Sequence, residues 1–470
     1  MFYSGIGGVY LMMHIHLIGI GGTGISSIAR VLLEKGFVVT GSDRTLSPLA
    51  LDLEIHGAKV YEGHSPKNIL GANLVVRSSA IPDSNVEVIA ARAAGIPVLK
   101  RSDFLASLMQ DQIGIAVAGS HGKTTTTAMM AYSLNRLGLD PSYIIGGVSK
   151  DLAGNAHAGK GKYFVIEADE YDRMFLGLKP QVIIVTNVEY DHPDCYPTPA
   201  DYRQVFGEFV HRLKPSGQLV TSADDSGAAS LTNSLPTGVN AFTYGLSENA
   251  NYQAINLKVN ALGGFDFDVS YQEKAKKITL AHVSLKIPGE HNVRNALAVL
   301  STLHAMGLSI DQAGRNLSGF SGTGRRFDVV GEIDGITIVD DYAHHPAKIH
   351  ATLSAARSRY PGRRLVAVWQ PHTYSRTRAL ANDFIQSLQE ADVTVVTEIY
   401  AAREPLEAFS SAELVEKMTG KEAFYCKTLD ETVHFLESKL VTGDVLLVLS
   451  AGDADQVCTR VLQSLKERKG

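Results

Sequence analysis

The chain has little cysteine: Cys195, Cys426 and Cys458 are the only three in 470 residues. Three thiols, spread out and odd in number, do not make the disulfide framework of a secreted domain, and they fit a reducing compartment. We therefore expect a cytoplasmic protein whose stability comes from packed cores.

An excess of positive charge is also missing. Lys and Arg number 44 against 49 Asp and Glu, which leaves a formal net charge of −5. A protein that grips nucleic acid needs a basic surface for the phosphate backbone, so we expect no nucleic-acid partner.

The first residues do not have the make-up of a signal peptide. The stretch "MFYSGIGGVYLMM" is apolar but has neither a basic leader nor a small-residue cleavage site, and it runs into the strand-like "HIHLIGI". We expect no membrane association, and Met12 or Met13 is an alternative to Met1 as the initiator.

What is present is ordinary globular material, with 45% hydrophobic and 20% charged residues. A chain of 470 residues exceeds one ordinary core, so two to three domains are expected. Composition shifts place the domains at residues 1–108, 109–325 and 326–470. The predicted fold class is α/β in all three, as a monomer or weak homodimer.

The first region alternates short apolar runs with helix-like stretches, which predicts a parallel sheet of the Rossmann-like kind. "GIGGTG", residues 19–24, lies between a predicted strand and helix, and Asp43 ends the next strand. This is a dinucleotide fingerprint in which backbone N–H groups approach a diphosphate. NAD and a UDP-sugar both contain such a diphosphate. The oxidoreductase interpretation is favoured only because this fingerprint occurs more often in such enzymes.

The middle region carries a second glycine loop, "GSHGKTTTT", which has a shorter spacing than the usual phosphate-binding loop. It lies between the buried strand "QIGIAVAG" and a helical stretch. Gly119 and Gly122 can turn N–H groups inward, Lys123 can supply a charge at the β and γ phosphates, and Thr124 can hold Mg²⁺. A plain glycine turn before a threonine-rich helix is the simpler alternative.

Acidic clusters follow the next two strands of this region. After the first of these strands, "VIEADEYD" places Glu167, Asp169, Glu170 and Asp172. After the second, "TNVEYDHPD" places Asn187, Glu189, Asp191 and His192. Metal ligands for a nucleotide are expected at such strand ends, although some of these acids can also cap helices or pair with basic residues.

The remaining segments complete the three-domain prediction. Between about 215 and 287, period-two alternation without helices predicts an antiparallel ribbon, and "SGFSGTGRRFD" marks a boundary. Beyond it, "ITIVDD", "RLVAVWQ", "DVTVVTE" and "DVLLVLSAG" alternate with helical stretches and predict a doubly wound sheet.

Taken together, the chain resembles the Mur ligase family of peptidoglycan synthesis, and within it the branch that adds alanine. The resemblance runs from His14 to the last helix and rests on the motifs "HIHLIGIGGTGISSIA", "VTGSD", "RSSAI", "GSHGKTTTT", "GGVSKDLAGNA", "EADEYD", "TNVEYDHPD", "GEHNVRNALA", "GRRFD", "DDYAHHP" and "QPHTYSRT". In this family the short loop is the normal form. The resemblance implies ATP-dependent joining of L-alanine to UDP-N-acetylmuramate through an acyl phosphate, with Mg²⁺.

The resemblance also implies roles for matching residues. The catalytic group is Lys123, Glu167, His192, Asn155 and Arg326, with Thr124, Glu167 and His192 as metal ligands. The ATP contacts are Gly119, Ser120, His121, Gly122, Lys123, Thr124, Thr125, Asn292, Asn295, Arg326 and Asp341. The UDP-sugar contacts are Gly21, Gly22, Thr23, Gly24, Asp43, Ser78 and Ser79. The amino-acid contacts are Tyr342, His344, Arg376 and Arg378.

One departure separates the chain from several sister ligases. Where they have a carbamylated lysine as an extra metal ligand, Phe206 stands here. The resemblance implies that the alanine-adding branch also lacks this lysine, which argues against the diaminopimelate- and glutamate-adding branches. A recycling ligase that attaches a preformed peptide to the same UDP-sugar is the nearest alternative. An NAD-dependent oxidoreductase, which would leave the middle domain without a role, and a non-catalytic UDP-sugar-binding protein are the others.

Overall fold

The computed structural model describes residues 5–6, 9–10, 13–152, 154–273, 276–402 and 404–468. Of the candidate initiators, Met1 and Met12 lie outside the described residues, and Met13 lies within them. The chain forms two compact units. One consists of residues 1–190, 199–253 and 298–313, and the other of residues 191–198, 254–297 and 314–470.

The first unit begins with a five-stranded sheet. Its strands and helices, preceded by the short pair β1 (Gly5–Ile6) and β2 (Val9–Tyr10), are β3 (His14–Ile18), α1 (Thr23–Glu34), β4 (Val38–Asp43), α2 (Pro48–Ile55), β5 (Lys59–Glu62), a 3₁₀ helix (Pro66–Ile69), β6 (Leu74–Arg77), α3 (Val86–Ala93), β7 (Val98–Lys100) and α4 (Arg101–Leu108). The strand order is β5-β4-β3-β6-β7, with all strands parallel. This order confirms the Rossmann-like prediction and brings the loop after β3 to the edge where ligands bind.

The second sheet of the first unit contains the strand before the short glycine loop at its centre. Its elements are β8 (Ile113–Ala118), α5 (Lys123–Arg136), β9 (Ser142–Ser149), β10 (Gly154–His157), β11 (Tyr163–Glu167), a 3₁₀ helix (Tyr171–Gly177), β12 (Val182–Val185), α6 (Pro199–Val210), β13 (Gln218–Ser222), α7 (Ser226–Ser230), a 3₁₀ helix (Leu231–Asn233) and β14 (Asn240–Gly245). Strand β15 (Tyr252–Val259) follows, and only its first two residues belong to the first unit. Strand β8 lies between β11 and β12 and is parallel to both. Because parallel strands end at the same edge, the glycine loop and the acidic segments after β11 and β12 meet there.

The antiparallel ribbon predicted for about residues 215–287 is confirmed only in its last part, in the second unit. Before it, β13, β14 and β15 pair parallel, and α7 lies between β13 and β14, so the prediction is wrong there. Strands β16 (Phe265–Glu273) and β17 (Lys276–Ser284) pair antiparallel, and α8 (Glu290–Ala305) and α9 (Ile310–Leu317) follow them in the chain. Buried and partly exposed residues alternate along the first half of β16, as expected for a strand with one covered face.

The C-terminal sheet of the second unit is doubly wound. Its elements are β18 (Asp328–Ile333), β19 (Ile336–Asp341), α10 (Pro346–Arg359), β20 (Leu365–Trp369), α11 (Tyr374–Ala379), α12 (Ala381–Ser387), β21 (Val393–Thr397), α13 (Ala412–Val415), β22 (Glu422–Cys426), α14 (Leu429–Lys439), β23 (Val445–Leu449) and α15 (Gln456–Glu467). The order is β18-β19-β23-β20-β21-β22, and only the edge strand β18 is antiparallel to its neighbour.

Two hydrophobic cores cover the two faces of this sheet. Along β20, Val366 and Val368 belong to one core and Leu365, Ala367 and Trp369 to the other, and all five are buried. Strands buried on both faces read as continuous apolar runs, which is why "RLVAVWQ" and "DVLLVLSAG" predicted them well.

Within the described part of the chain, no helix has both the length and the apolar composition required to cross a bilayer. The predicted domain borders after residues 108 and 325 stay predictions.

Candidate active site

The first glycine loop joins β3 to α1 at the edge of the first sheet. Gly19 has a φ of +85°, and a Cβ there would lie 3.0 Å from the Cβ of Ser78. Gly22 is the N-cap of α1, and Thr23 and Gly24 form its first turn. The backbone of this loop therefore requires glycine at its entry, and the loop leads directly into the N-terminus of α1.

Asp43 lies directly against the loop, as its place in the fingerprint suggested. The Gly21 N–H donates to Asp43 Oδ2 at 2.8 Å, and a Cβ on Gly21 would be only 2.9 Å from that oxygen. Ser47 Oγ donates to the Gly21 carbonyl at 2.9 Å and fixes the other side. Ser78 and Ser79 follow β6, the neighbour of β3, and the Ser78 N–H donates to the Ile18 carbonyl.

The second glycine loop is held by the segment after β12. Gly119 has a φ of +139° and would clash with Thr186 Oγ1 if it carried a Cβ, which would lie 2.0 Å away. Ser120 Oγ donates to the Glu189 carbonyl at 2.6 Å, and the His121 N–H donates to Asn187 Oδ1 at 2.8 Å. Gly122, at a φ of +78°, starts α5. The shorter spacing is thus compatible with a loop that caps the helix.

Lys123 forms a buried ion pair that the sequence did not predict. Its Nζ donates to both carboxylate oxygens of Glu170, at 2.8 and 2.7 Å, and to the Gly119 carbonyl at 2.5 Å. Burial disfavours the charged amine, but the Glu170 and Asp169 carboxylates outweigh it and raise the pKa of Lys123. The lysine is therefore a fixed positive charge at the mouth of the loop.

Thr124 and Glu167 lie close enough to share a ligand. Thr124 Oγ1 donates to Glu167 Oε1 at 3.1 Å, and the other carboxylate oxygen accepts from the Gly146 N–H at 2.7 Å. A Cβ at Gly146 would be 2.5 Å from that carboxylate, so a larger residue there would displace Glu167 from this position. A hydroxyl and a carboxylate are oxygen donors of the kind that Mg²⁺ prefers, so this pair fits the predicted ion. Thr125, the next residue of α5, is buried.

Asn155 lies on β10 and contacts helix α1. Its Nδ2 donates to Ser27 Oγ of α1 at 2.8 Å. Two residues on, His157 Nδ1 is 2.8 Å from Glu34 Oε2. The predicted contact of Asn155 with the γ-phosphate stays a prediction, and the structure adds a link between α1 and the β9–β10 hairpin.

His192 belongs to the second unit, in the short segment 191–198. Its φ is +58°, and its carbonyl accepts from the N–H groups of Cys195 and Tyr196 at 2.9 Å. The first unit thus brings Thr124 and Glu167 together, while the membership of His192 in the metal site stays a prediction.

The two arginines predicted to bind the amino acid differ sharply. The Arg376 side chain is 8% exposed and donates to Asp191 Oδ1 at 2.8 Å. Burial acts to raise the pKa of Asp191, but Arg376 and the nearby His192, Lys348 and His344 hold it well below its usual range. Arg378 is 55% exposed, pairs with Glu407 at 2.5 Å and lies over the Phe409 ring.

Tyr342 and His344, the other residues predicted to bind the amino acid, follow the end of β19. His344 Nδ1 is 2.8 Å from the Tyr342 carbonyl, and its ring lies 5.8 Å from that of His372. Burial, together with Lys348 and Arg376, lowers the pKa of His344, so the imidazole is neutral at physiological pH.

The predicted nucleotide contacts of the second unit form two groups. In α8, Asn292 Nδ2 donates to the Pro288 carbonyl at 2.7 Å and Asn292 Oδ1 accepts from Asn295 at 3.2 Å. The guanidinium of Arg326 lies 5.0 Å from the Tyr342 ring centroid, and Asp341 accepts from the Phe327 N–H at 2.7 Å. Burial raises the pKa of Asp341, and the Arg326 charge acts against this rise.

Phe206 fits its place as an apolar residue. It is fully buried on α6, where its ring packs edge-on against Phe175 at 5.4 Å and near Tyr202 at 5.2 Å. A lysine at this position would have its amine inside an aromatic cluster, so the departure from the sister ligases is consistent with the local packing.

Sequence reasoning missed one charged residue of these sites, Arg101, which lies in no quoted motif and is singled out only by its three-dimensional placement against Gly24. Glu170 and Asp191 belong to the acidic clusters predicted at the strand ends, and the structure pairs them with Lys123 and Arg376.

Family models match almost the whole chain. The catalytic domain of the Mur ligase family matches residues 14–113, the Mur ligase middle domain matches 117–303, and the Mur ligase glutamate ligase domain matches 325–452.

Individual relatives agree with the family models. A UDP-N-acetylmuramate–L-alanine ligase of Caldanaerobacter subterraneus is 41% identical over 96% of this chain and 98% of its own. Among solved structures, the UDP-N-acetylmuramate-alanine ligase of Thermotoga maritima is 28% identical and covers 97% of this chain and 100% of its own, with a TM-score of 0.80. A murein peptide ligase of Psychrobacter arcticus is 27% identical over 96% of this chain and 98% of its own, with a TM-score of 0.69. The chain belongs to the Mur ligase family.

Proposed function

We propose that this protein joins L-alanine to the carboxylate of UDP-N-acetylmuramate and converts ATP to ADP and phosphate, a step in making the peptidoglycan precursor. The observation that carries the proposal is the pairing of a diphosphate fingerprint with a lysine-bearing phosphate loop in one unit. The full-length relative at 41% identity, named for this reaction, supports the choice of substrates.

The first loop is the proposed UDP-sugar site. Gly21, Gly22, Thr23 and Gly24 surround the start of α1, where the helix dipole favours an anion. The Gly21 and Gly22 N–H groups already donate to Asp43 and to the Gly19 carbonyl, so those of Thr23 and Gly24 are the proposed donors. Asp43 is within hydrogen-bonding distance of Gly21 and is the acid for a ribose hydroxyl. Ser78 and Ser79 border the same edge of the sheet.

The second loop is the proposed ATP site. Residues 119–125 surround the phosphates, and Thr124 and Glu167, with His192 as a further ligand, would hold Mg²⁺. When bound, the ion offsets the negative charge of the phosphates. Lys123 adds a second positive charge there, and it exchanges its Glu170 partner for phosphate oxygens.

The chemistry follows from the leaving group. A carboxylate does not react with an amine at neutral pH, because oxide would have to leave. Transfer of the γ-phosphoryl group to a carboxylate oxygen of the sugar forms an acyl phosphate and ADP. The alanine amine then attacks the acyl carbon, the C–O bond to phosphate breaks, and the amine loses a proton.

Residues of the second unit complete the proposal. Arg376 and Arg378 have planar donor forks for the amino-acid carboxylate, beside Tyr342 and His344. Asn292, Asn295, Arg326 and Asp341 are proposed nucleotide contacts, and Asn155 is proposed to reach the γ-phosphate. Closure over both substrates would protect the acyl phosphate from water.

A peptide-recycling ligase is the second candidate. The murein peptide ligase structure matches this chain at a TM-score of 0.69, against 0.80 for the alanine ligase structure. The higher score and the alanine-named relative favour L-alanine as the acceptor.

The deciding experiment measures phosphate release from MgATP and UDP-N-acetylmuramate with different acceptors. L-alanine, glycine, L-serine and the tripeptide L-Ala-γ-D-Glu-diaminopimelate are compared in parallel. Release that requires both the UDP-sugar and L-alanine supports the proposal. A clear preference for the tripeptide would assign the protein to recycling, and no release with any acceptor would refute both.

A further inference from the structure

Arg101 lies over the first glycine loop, although it belongs to no recognised motif. It is the first residue of α4 and follows β7 directly, so it stands at the same sheet edge as the loop after β3. A Cβ added to Gly24 would be 1.7 Å from Arg101 Nη1 and 2.6 Å from its Cζ. The guanidinium therefore occupies the space that any side chain at position 24 would need.

With glycine at position 24, the Arg101 guanidinium can lie against the first turn of α1. Gly24 lies inside α1 and has an ordinary helical conformation, so its backbone does not require glycine. The atoms that a Cβ there would meet first all belong to the Arg101 guanidinium, which a larger residue would have to displace. The last glycine of the fingerprint thus makes room for a positive charge at the start of a helix.

The other end of the guanidinium points to the acidic segment after β11. Arg101 Nη2 lies 3.9 Å from Asp169 Oδ2, and its side chain is 21% exposed. Burial lowers the pKa of Arg101, against the attraction of Asp169 and Glu167, yet arginine keeps its proton throughout the physiological range. The planar guanidinium of Arg101 thus extends from the first glycine loop towards the acidic residues beside the second glycine loop.

Most of the N–H donors of Arg101 make no recorded hydrogen bond to the described residues. To the described residues the structure records this one long ion pair and no hydrogen bond from its five N–H groups. A largely buried guanidinium with unfilled donors beside a phosphate-type loop is suited to an anionic ligand, since paired N–H donors match phosphate oxygens.

We propose that Arg101 binds the diphosphate of the UDP-sugar and is a substrate-binding residue of the first loop. It supplies the positive charge that the loop itself lacks, because "GIGGTG" contains no basic residue. Binding exchanges the weak Asp169 pair for phosphate oxygens and so links occupation of the first loop to the acidic segment of the second. The inference rests on the proposed function, since it takes the first loop as the UDP-sugar site.

The test compares UDP with uridine by calorimetry on the full-length protein. Arg101→Gln should weaken UDP binding by about tenfold to a hundredfold, because charge-assisted hydrogen bonds are lost, and should leave uridine binding unchanged. Arg101→Lys should fall between, since it keeps the charge without the fork. Arg92→Gln is the matched control: Arg92 is 54% exposed on α3 and pairs with Asp83, and its loss should change UDP binding less than twofold.

A second variant tests the contact with Gly24. Gly24→Ala should weaken UDP binding in the wild-type background and have little further effect in Arg101→Ala, where the guanidinium no longer fills the space. Equal losses in both backgrounds would mean that Gly24 serves another purpose and would overturn the contact.

The outcomes separate this inference from the proposed function. Unchanged UDP affinity in Arg101→Gln, while the wild-type protein forms product from L-alanine, would overturn the role of Arg101 alone. Equal losses for UDP and uridine with a lower melting temperature would also overturn it, because they indicate a structural role. If the wild-type protein forms no product, the proposed function fails whatever Arg101 does.

Discussion

The two glycine loops of the first unit differ in where their positive charge comes from. In the second loop the positive charge is built in, because Lys123 stands at the first position of α5 and pairs with Glu170. In the first loop the charge comes from another element, since Arg101 of α4 lies over Gly24. Each loop also has an acid in contact: Asp43 on the Gly21 N–H and Glu170 on the Lys123 amine.

The difference matches the chemistry expected at each loop. A group that is transferred gains and loses charge during the reaction, so a lysine fixed in the loop helps where the γ-phosphoryl moves. A diphosphate that is only held needs orientation, which backbone N–H groups and a planar guanidinium provide. We therefore expect substitutions in the second loop to lower turnover and those in the first to lower affinity.

The largest effect is expected for Lys123→Ala. Loss of the charge at the phosphoryl group should lower kcat by about 10³-fold or more, while UDP binding to the first loop is retained. Steady-state phosphate release and UDP calorimetry on the same preparation measure both quantities. A parallel loss of UDP affinity would show that UDP binding and phosphoryl transfer are not assigned separately to the first and second loops.

Glu170→Gln should affect stability before it affects binding. It leaves Lys123 without its carboxylate partner in a buried place, so we expect the free energy of unfolding to fall by about 3 to 4 kcal/mol. Urea unfolding measures this loss, and MgATP should reduce it, because phosphate oxygens can replace the carboxylate. Glu208→Gln, which breaks the exposed pair with Arg173, is the control and should cost less than about 1 kcal/mol. Similar losses for both variants would contradict the comparison.

A buried carboxylate below the first loop should make that region sensitive to acid. Glu87 accepts from Ser42, the residue before Asp43, and from Asn68. Burial alone would raise its pKa, but hydrogen bonds from His16, Ser42 and Ser65 outweigh this and lower the pKa to about 2 from 4.5.

The sign of the effect follows from this lowered pKa. The stabilisation is complete above the unfolded-state pKa, near 4.5, and is lost as the pH falls towards about 2. It amounts to no more than about 3 kcal/mol. Acid unfolding of the wild type and of Glu87→Gln, followed by circular dichroism, should differ in slope in this range. Identical slopes would show that the carboxylate does not titrate as proposed.

The smallest effect is expected for Asp43→Ala. The carboxylate offers one hydrogen-bonding group to a ribose hydroxyl, so UDP affinity should fall about tenfold and ATP binding should not change. Calorimetry with UDP and with a non-hydrolysable ATP analogue checks both. A larger loss than for Arg101→Gln would mean that the acid, rather than the guanidinium, dominates binding at the first loop.

Much of the fold was predictable because its signals are local. The strands β20 and β23 are buried on both faces and read as unbroken apolar runs, and the glycine loops stand between strand and helix as their spacing indicates. The ribbon β16–β17 followed from alternation. The site was predicted less completely, because the sequence around Arg101 or Glu170 does not indicate which distant residue each side chain contacts.

The amino-acid sequence by itself determined the three α/β sheets, the two glycine loops, the position of Lys123 and the family. These depend on residues within one or two turns or strands, where backbone conformation and side-chain spacing act directly. Only the tertiary structure decided that Lys123 pairs with Glu170, 47 residues away, and Arg376 with Asp191, 185 residues away. The tertiary structure also decided that Arg101 lies against Gly24. The physical reason is that parallel sheets bring the ends of strands distant in sequence to one edge, and the charges that meet there are set by strand order.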